Sequence, residues 1–224
     1  MIKQNLLRVI ENIEDAKRHL QSSAIKLVAV TKNHPVEAMR EAIDCGVTDI
    51  GENRIQEAVE KFATLDRNVV KHLIGHLQTN KVRQAVKHFD LIHSIDSPHL
   101  AQAVNRAAES IDKIQAVLIQ INLAREVQKS GVAPEELESL IETVQKCGNL
   151  KLRGFMMIAP NYEDAEQCRP LFKQMYQLFQ RQREVLPTIE ILSMGMTHDY
   201  RIAIEEGANL VRIGTAIFGE RDYH

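Results

Sequence analysis

The amino-acid sequence of 224 residues predicts a single parallel (β/α)8 TIM barrel. Short apolar segments with strand character alternate with helical segments, which is the pattern of parallel α/β folds. Three joints between a helix and the next strand carry a glycine, at Gly46, Gly148 and Gly207, and they indicate a repeated helix–strand unit. Polar residues recur where the predicted strands end, and barrel enzymes keep their chemistry at that end. These observations favour a barrel over an open doubly wound sheet.

Each predicted strand is a short run of apolar and β-branched residues. The first strand ends on Lys32 and is followed closely by Pro35, and the fifth strand is the clearest. The predicted strands comprise residues 27–32, 48–51, 71–76, 91–95, 116–122, 151–158, 191–195 and 210–215.

Proline, serine and carboxylates at the helix starts, and glycine or proline at the ends, mark the helices between the strands. The N-terminal helix has an apolar stripe of Leu6, Ile10, Ile13 and Leu20. The predicted pattern has no helix after the eighth strand, and the N-terminal helix takes the place of that helix in the barrel. The predicted helices comprise residues 1–22, 35–45, 54–62, 79–88, 97–109, 134–147, 164–186 and 199–206.

The composition excludes several classes of protein. A hydrophobic fraction of 44% and a charged fraction of 26% suit one sizeable core, so we expect one domain over residues 1–224. A formal charge of -2 without a basic tract argues against a nucleic-acid partner. Charged residues interrupt the N-terminal helix, which is therefore neither a signal peptide nor a membrane span. The three cysteines are widely spaced, which predicts neither disulfides nor a zinc site and fits a reducing cytoplasm.

Two cationic residues are predicted to face the mouth, which is the end of the barrel formed by the carboxyl ends of the strands. Side chains alternate along a strand, so Val28, Val30 and Lys32 share one face. The same alternation turns Arg212 into the barrel, on the face of Gly214. A buried guanidinium keeps its proton and needs an acceptor, which a ligand ring nitrogen or a carboxylate would supply.

The segments after the seventh and eighth strands predict an anion site. Residues 193–197 and Gly214-Thr215 combine hydroxyls with glycines, and barrels often bind a phosphate there. A lysine, a phosphate cradle and an inward arginine together predict pyridoxal 5'-phosphate (PLP), with its aldehyde at Lys32 and its pyridine nitrogen at Arg212. Each feature has an ordinary alternative: a solubilising lysine, plain turn residues, and an arginine in an ion pair.

Six motifs stand out: Ala29-Val30-Thr31-Lys32, Gly51-Glu52-Asn53, and residues 74–81, 93–97, 193–196 and 211–219. Together they resemble the pyridoxal phosphate homeostasis protein family across nearly the whole chain. The resemblance implies a fold-type III barrel like the N-terminal domain of alanine racemase, without the C-terminal β domain of that enzyme. It also implies a role in intracellular PLP homeostasis, with PLP held as an internal aldimine on Lys32.

The resemblance further implies which residues hold PLP. Arg212 faces the pyridine nitrogen, and Asn53 and His76 lie beside the cofactor. Thr197-His198 departs from the usual pattern of the family in the same region. The implied residues at the ends of the last two strands, on the phosphate side, are Ser193, Met194, Gly195, Gly214 and Thr215.

An amino-acid racemase is the alternative, because the same barrel and cofactor serve that reaction. Racemisation needs a proton donor on each face of the substrate, and alanine racemases bring a tyrosine from an additional β domain. The chain ends at Tyr223-His224, which leaves no room for that domain, and only Tyr200 is expected near the mouth. An arginine at the pyridine nitrogen also weakens the ring as an electron sink. Both points favour a PLP carrier over a racemase, and a barrel without a ligand is the third alternative.

We assign no residue a catalytic role and expect no metal site. His72 and His93 are predicted to be structural, and His76 to be a hydrogen-bonded histidine at the mouth. The run Thr197-His198-Asp199 is not accompanied by a nucleophile motif. The expected partners are PLP and the apo-enzymes that depend on it, and the chain itself is expected to be a monomer in the cytoplasm.

Overall fold

A computed structural model describes residues 1–17, 24–126 and 128–219 of the chain. Within these ranges, eight parallel strands close into a barrel in the order in which they follow along the chain. The predicted (β/α)8 barrel is therefore confirmed. The strands are β1 (Lys26–Val30), β2 (Asp49–Glu52), β3 (Val70–Leu73), β4 (Leu91–Ile95), β5 (Gln115–Gln120), β6 (Leu150–Met156), β7 (Ile191–Ser193) and β8 (Leu210–Ile213).

Helices surround the barrel and connect successive strands. They are α1 (Ile2–Lys17), α2 (Val36–Asp44), α3 (Ile55–Thr64), α4 (Val82–His88), α5 (Pro98–Glu109), α6 (Leu137–Gln145), α7 (Arg169–Val185), α8 (Tyr200–Glu205) and α9 (Thr215–Phe218). Short 3₁₀ turns at Thr79–Lys81, Pro134–Glu136 and Ala165–Cys168 lead into α4, α6 and α7. Among the described residues, no helix is both long and apolar enough to span a membrane.

Helix α1 covers the joint where the barrel closes, since it packs against α2, α8 and α9. Its buried residues are Ile2, Leu6, Val9, Ile13 and Ala16. Ile10 is 42% exposed, so the predicted apolar stripe is wrong at this position because Val9 continues the buried face. The expected continuation of the helix through residue 22 lies outside the described residues.

A short helix that the sequence does not predict follows β8. Helix α9 begins after Gly214, and Asn5 Nδ2 on α1 donates a hydrogen bond to Ile217 O over 3.0 Å. Its 4 residues are too few to show a helical period in the sequence. Helix α1 packs against both α9 and α8.

Several strands end earlier than the sequence predicts. Strand β1 ends at Val30 rather than Lys32, and β3 ends at Leu73 rather than His76. Pairing still continues just past β1, because the Thr31 N–H donates to Gly51 O over 3.0 Å. These strand ends leave Lys32 and His76 in the loops at the mouth.

The described residues form two apolar regions, and the interior of the barrel holds both apolar and polar side chains. The larger apolar region fills the layer between strands and helices and includes Ala29, Ile50 and Leu73. A smaller cluster inside the barrel is formed by Leu91, Leu118 and Met156. The interior also holds buried polar side chains, which are Asp49, His72, His93, Ser193 and Arg212.

The glycines at the helix-to-strand joints are not equivalent. Gly46 and Gly207 both have a φ of 101°, in the left-handed region that favours glycine. Gly148 is not among the described glycines with a positive φ, so its place in the repeated joint does not depend on that conformation.

Replacing Gly207 with alanine should destabilise the protein more than replacing Gly46. A Cβ at Gly207 would lie 2.3 Å from Cδ2 of Tyr176, whereas nothing lies within 4 Å of a Cβ at Gly46. Gly46→Ala should therefore lower the free energy of unfolding by backbone strain alone, about 1–2 kcal/mol, and Gly207→Ala by more. Urea denaturation followed by circular dichroism measures both losses, and equal losses would contradict the clash with Tyr176.

Candidate functional site

A cavity of about 290 Å³ opens at the mouth of the barrel. Two of its lining residues, Lys32 and Arg212, are cations, and none of the lining residues in the described part of the chain is a carboxylate. Val30, Ile74 and Ile158 supply apolar walls. The cavity therefore suits an anionic ligand that carries an apolar ring. The lining residues are Val30, Lys32, His34, Asn53, Ile74, Ile158, Met196, Thr197, His198, Arg212, Gly214 and Thr215.

The structure brings part of the predicted cofactor set to this cavity. The predicted residues that line it are Lys32, Asn53, Arg212, Gly214 and Thr215. They follow or belong to β1, β2 and β8, which are neighbours in the barrel. The predicted residues that are not among its lining are His76, Ser193, Met194 and Gly195.

The end of β7 is bonded to β8 and does not line the cavity. Ser193 is fully buried, and its Oγ lies 2.5 Å from Arg212 Nη1 and 3.0 Å from His93 Nδ1. Met194 packs in the outer apolar layer. The carbonyl of Gly195 accepts a hydrogen bond from the Arg212 N–H over 3.0 Å. The Ser193 hydroxyl, which was expected on the phosphate side, contacts Arg212 and His93.

His76 lies in a second cavity, of about 270 Å³, that adjoins the first. The two cavities share Asn53 and Ile74 in their linings. His76 Nδ1 lies 3.2 Å from Ser130 Oγ and 3.8 Å from Asp96 Oδ2. Burial raises the pKa of Asp96, while the nearby His76 opposes that shift. His76 is therefore a hydrogen-bonded histidine at the mouth, and it lines the cavity next to the one that Lys32 lines.

Two lining residues, His34 and His198, fall outside the predicted sites, whereas Met196 and Thr197 belong to the segment 193–197 that was predicted to bind an anion. The signal that could have found His34 and His198 is their place directly after β1 and β7, since the loops at this end form the sites of barrel proteins. The His34 ring lies 4.9 Å from the Phe218 ring, centroid to centroid, and Thr197 Oγ1 accepts from the Ala216 N–H over 3.4 Å. These contacts tie both loops to α9.

A partly buried lysine, Lys61, anchors the backbone on the N-terminal side of Lys32. Lys61 Nζ on α3 donates to Thr31 O over 2.8 Å and to Glu52 Oε1 over 2.9 Å. The Thr31 hydroxyl donates to the same Glu52 oxygen over 2.6 Å. Burial raises the pKa of Glu52, although its bonds to Thr31 and Lys61 oppose the shift. Hydrogen bonds to charged groups, which are the stronger kind, therefore fix the strand end before Lys32.

The same lysine anchors the other side of Lys32 through Glu57. The Asn33 N–H donates to Glu57 Oε1 over 2.5 Å, and Lys61 Nζ lies 2.6 Å from that oxygen. Asn33 has a φ of 62°, a left-handed conformation that asparagine tolerates. Lys61, Glu52 and Glu57 form a unit that we call the Lys61 cluster. It holds the backbone on both sides of Lys32, so this lysine reaches the cavity from a fixed position.

Arg212 is 3% exposed, yet it contributes to the cavity lining. Its Nη1 donates to Ser193 Oγ over 2.5 Å, and its Nη2 donates to Met157 O over 2.9 Å. Burial lowers the pKa of Arg212 to about 10, with the charge of Asp199 opposing that shift. The guanidinium therefore stays cationic at neutral pH, although both of these acceptors are uncharged.

Buried histidines continue the contact from Ser193 across the barrel interior. His93 Nε2 lies 2.9 Å from His72 Nδ1, and His72 Nε2 lies 2.8 Å from Asp49 Oδ1. Both histidines were predicted to be structural, and neither lines the cavity. Burial, helped by the charge of Arg212, holds the pKa of His93 well below its usual range. The His93 imidazole is therefore neutral.

Asp49, on β2, is the last member of this series of contacts. It accepts hydrogen bonds from Lys26 Nζ over 3.1 Å and from Thr48 Oγ1 over 2.7 Å. Burial would raise the pKa of Asp49, but hydrogen bonds from His72, Thr48 and Lys26 outweigh it and hold the pKa at about 2. The carboxylate is therefore ionised, and it supplies a negative charge inside the barrel.

Comparison with known proteins relates the chain to two groups. Residues 4–222 match the family described as alanine racemase, N-terminal domain. A pyridoxal phosphate homeostasis protein of Aquifex aeolicus (strain VF5) is 42% identical over 224 residues, which cover 98% of this chain and 98% of the relative. The pyridoxal phosphate homeostasis protein of Escherichia coli (strain K12) is 40% identical over 229 residues, which cover 99% and 97%.

Solved structures that are similar to this chain include PipY and an alanine racemase. PipY of Synechococcus elongatus PCC7942 without PLP superposes with a TM-score of 0.89 at 35% identity, over 98% of this chain and 100% of PipY. The structure of PipY with PLP bound gives a TM-score of 0.86 at 34% identity, over the same shares. Alanine racemase of Clostridium difficile 630 shares the fold, with a TM-score of 0.76 at 18% identity over 98% of this chain and 57% of that one.

Asp49→Asn should change how stability depends on pH. The pKa of Asp49 falls from 3.8 to about 2 on folding, so its ionised form stabilises the native state above about pH 4, and this contribution is lost as the pH falls through about 2. The difference in free energy of unfolding between wild type and Asp49→Asn should shrink by about 2 kcal/mol over this range. Urea denaturation at a series of pH values measures it.

Thr48→Val provides an intermediate case for the same measurement. It removes one hydrogen bond from the Asp49 carboxylate and leaves the charge in place, so its curve should lie between the other two. Parallel curves for wild type and Asp49→Asn would contradict the lowered pKa.

Proposed function

The chain belongs to the pyridoxal phosphate homeostasis protein family, and from this membership we propose that it binds PLP reversibly and takes part in intracellular PLP homeostasis. The observation that carries the proposal is the cavity at the mouth, where Lys32 and Arg212 meet and no described lining residue is a carboxylate. PLP has an aldehyde, a phosphate and a pyridine ring, and each of these groups has a complementary residue in that lining.

The residues present fit the cofactor. Lys32 supplies a primary amine for the aldehyde. Gly214 and Thr215 follow β8, and Thr197 lines the same cavity from the loop after β7, so their N–H groups and hydroxyls would hold the phosphate. Asn53 would lie beside the ring. We do not extend the phosphate site to Ser193, because its hydroxyl is already bonded to Arg212 and His93.

Arg212 favours a carrier over an enzyme that acts on amino acids. When bound, PLP supplies an aldehyde that condenses reversibly with amines and a ring that accepts electrons best when its nitrogen is protonated. A guanidinium only donates hydrogen bonds, so Arg212 would leave a ring nitrogen beside it unprotonated. The residues of this cavity therefore support binding and release more than carbanion chemistry.

The described tyrosines offer a racemase no proton donor at the cavity. Tyr200, which was expected near the mouth, is 6% exposed and packs in the outer apolar layer. Tyr162 and Tyr176 lie against the same layer, and Tyr223 lies outside the described residues. None of the described tyrosines is among the lining residues.

The remaining parts of the proposal concern location and partners. The protein works in the cytoplasm as a monomer and supplies PLP to apo-enzymes. Its three cysteines, Cys45, Cys147 and Cys168, are free thiols, as a reducing compartment allows. Burial raises the pKa of Cys168 to about 11, with Asp199 adding to the shift, so that thiol stays protonated and unreactive.

Borohydride reduction of the PLP-loaded protein should attach the cofactor to Lys32, because Lys32 is the lysine that lines the cavity. Peptide mapping by mass spectrometry locates the label. Lys32→Arg keeps the positive charge and should abolish labelling, whereas Lys81→Arg, outside the cavity lining, should preserve it. A label on another lysine with Lys32 unmodified would reject the assignment.

Thr215→Val should weaken PLP binding without weakening pyridoxal binding. The loss should be about tenfold or more, because a hydrogen bond to a charged acceptor contributes about 1.5–3 kcal/mol. Absorbance titrations measure both affinities. Thr143→Val on α6, outside both cavities at the mouth, should leave them unchanged. Equal weakening of both ligands would mean that the phosphate does not contact Thr215.

The PLP-loaded protein should give PLP to an apo-enzyme and should not invert amino acids at a useful rate. A general acid–base group contributes about 10²- to 10⁴-fold, and the cavity lacks a described tyrosine for one face. Chiral chromatography after incubation with L-alanine and other L-amino acids measures inversion, and activation of the apo-enzyme measures transfer. Inversion near about one turnover per second without transfer would favour the racemase.

A further inference from the structure

A continuous series of hydrogen bonds joins Arg212 to Asp49 through the barrel interior, and the proposed function uses only one end of it. The members in order are Arg212, Ser193, His93, His72 and Asp49, and the successive distances are 2.5, 3.0, 2.9 and 2.8 Å. We call this series the interior chain. Each member is 3% exposed or less, so the hydrogen bonds between its members are shielded from bulk water.

The chemistry of Arg212 sets the direction of the interior chain. A guanidinium can only donate, so Ser193 Oγ accepts the hydrogen bond from Arg212 Nη1. The Ser193 hydroxyl then donates its proton to His93 Nδ1, because the histidine is the only one of its two bonded neighbours that can accept a hydrogen bond. Nε2 of His93 must therefore carry the ring proton of the neutral imidazole.

The same logic continues to the carboxylate. His93 Nε2–H donates to His72 Nδ1, which leaves the proton of His72 on Nε2, and this group donates to Asp49 Oδ1. Every bond thus runs from Arg212 toward Asp49, with a cation at one end, an anion at the other and neutral imidazoles between them. Reversing one bond would set two donors or two acceptors against each other in a buried place, where an unsatisfied polar group is strongly unfavourable.

We propose that Ser193, His93, His72 and Asp49 are positioning residues that hold the guanidinium of Arg212 toward the bound cofactor. This rests on the proposed function, because it takes the PLP ring to lie against Arg212. It assigns the Ser193 hydroxyl to the arginine and not to the phosphate, in contrast to the expectation from the sequence.

Two contacts fix the plane of the guanidinium. Met157 O accepts from Nη2 over 2.9 Å, and Ser193 Oγ accepts from Nη1 over 2.5 Å. The carbonyl belongs to the backbone, whereas a serine hydroxyl can rotate and release its donor. His93 prevents this rotation because it holds the hydroxyl proton, and His72 and Asp49 hold His93 in turn.

Ser193→Ala tests the proposal, with Ser94→Ala as the matched control. Ser94 is equally buried on β4, and among the described residues its Oγ has no hydrogen-bond partner. Ser193→Ala should weaken PLP and pyridoxal by the same factor, roughly tenfold for one hydrogen bond of a charged group, and Ser94→Ala should weaken neither. Absorbance titrations with both ligands give the factors.

Two results of these titrations would overturn the proposal. A loss confined to PLP would make Ser193 a phosphate ligand, and no loss with either ligand would mean that Arg212 needs no support. Circular dichroism establishes that each variant is folded. A wild-type protein that bound no PLP would instead reject the proposed function.

A second measurement uses the ligand-free wild-type protein and needs no variant. NMR of protein labelled with ¹⁵N-histidine reports the protonation of each ring nitrogen, and His72 and His93 should both be neutral with the proton on Nε2. A proton on Nδ1 of either ring, or a cationic imidazole, would overturn the proposed direction of the interior chain. This result is independent of whether the protein binds PLP.

Discussion

A guanidinium buried inside the barrel is the constraint on which the polar interior depends. Arg212 stays cationic at 3% exposure, and a buried charge without compensation costs several kcal/mol. Among the described residues Arg212 makes no direct ion pair: its guanidinium donates to Ser193 Oγ and Met157 O, and the charge of Asp199 favours its cationic form. Asp49 ends the interior chain as an anion to which Lys26 and Thr48 also donate, and the cavity side of Arg212 is left available to a ligand.

The two cations of the cavity are held from opposite faces of the sheet. Alternate residues of a strand face opposite sides, so the end of β1 directs Thr31 to the helix layer and Lys32 to the cavity. The Lys61 cluster bonds Thr31 and Asn33 in that outer layer, while the interior chain holds Arg212 from inside. In the described part of the chain the two sets share no hydrogen-bond partner, and separate sites of this kind contribute almost independently to stability. The positions of the amine and the guanidinium can therefore be set separately.

The parts of the site that could be predicted follow from local rules. Strand alternation within one segment suffices to turn Lys32 and Arg212 toward the mouth, and the alternation of strands with helices suffices for the barrel. The role of Ser193 could not be predicted, because its partner His93 is 100 residues away and lies on a strand that does not pair with β7. Lys61 gave no signal either, since a lysine on an amphipathic helix is normally exposed.

The interior chain also restricts the register in which this barrel can close. It links β2, β3, β4, β7 and β8, and it crosses the interior between β4 and β7, which share no backbone pairing. A slip of one residue in any of these strands would turn its side chain to the outer face, and Arg212 or Asp49 would then lose its partner. Breaking a buried charged network in this way costs about 3–5 kcal/mol, whereas apolar contacts such as that between Leu91 and Leu118 tolerate rearrangement more easily. The side chains that orient the arginine therefore also select the register that brings Arg212 and Lys32 to one cavity.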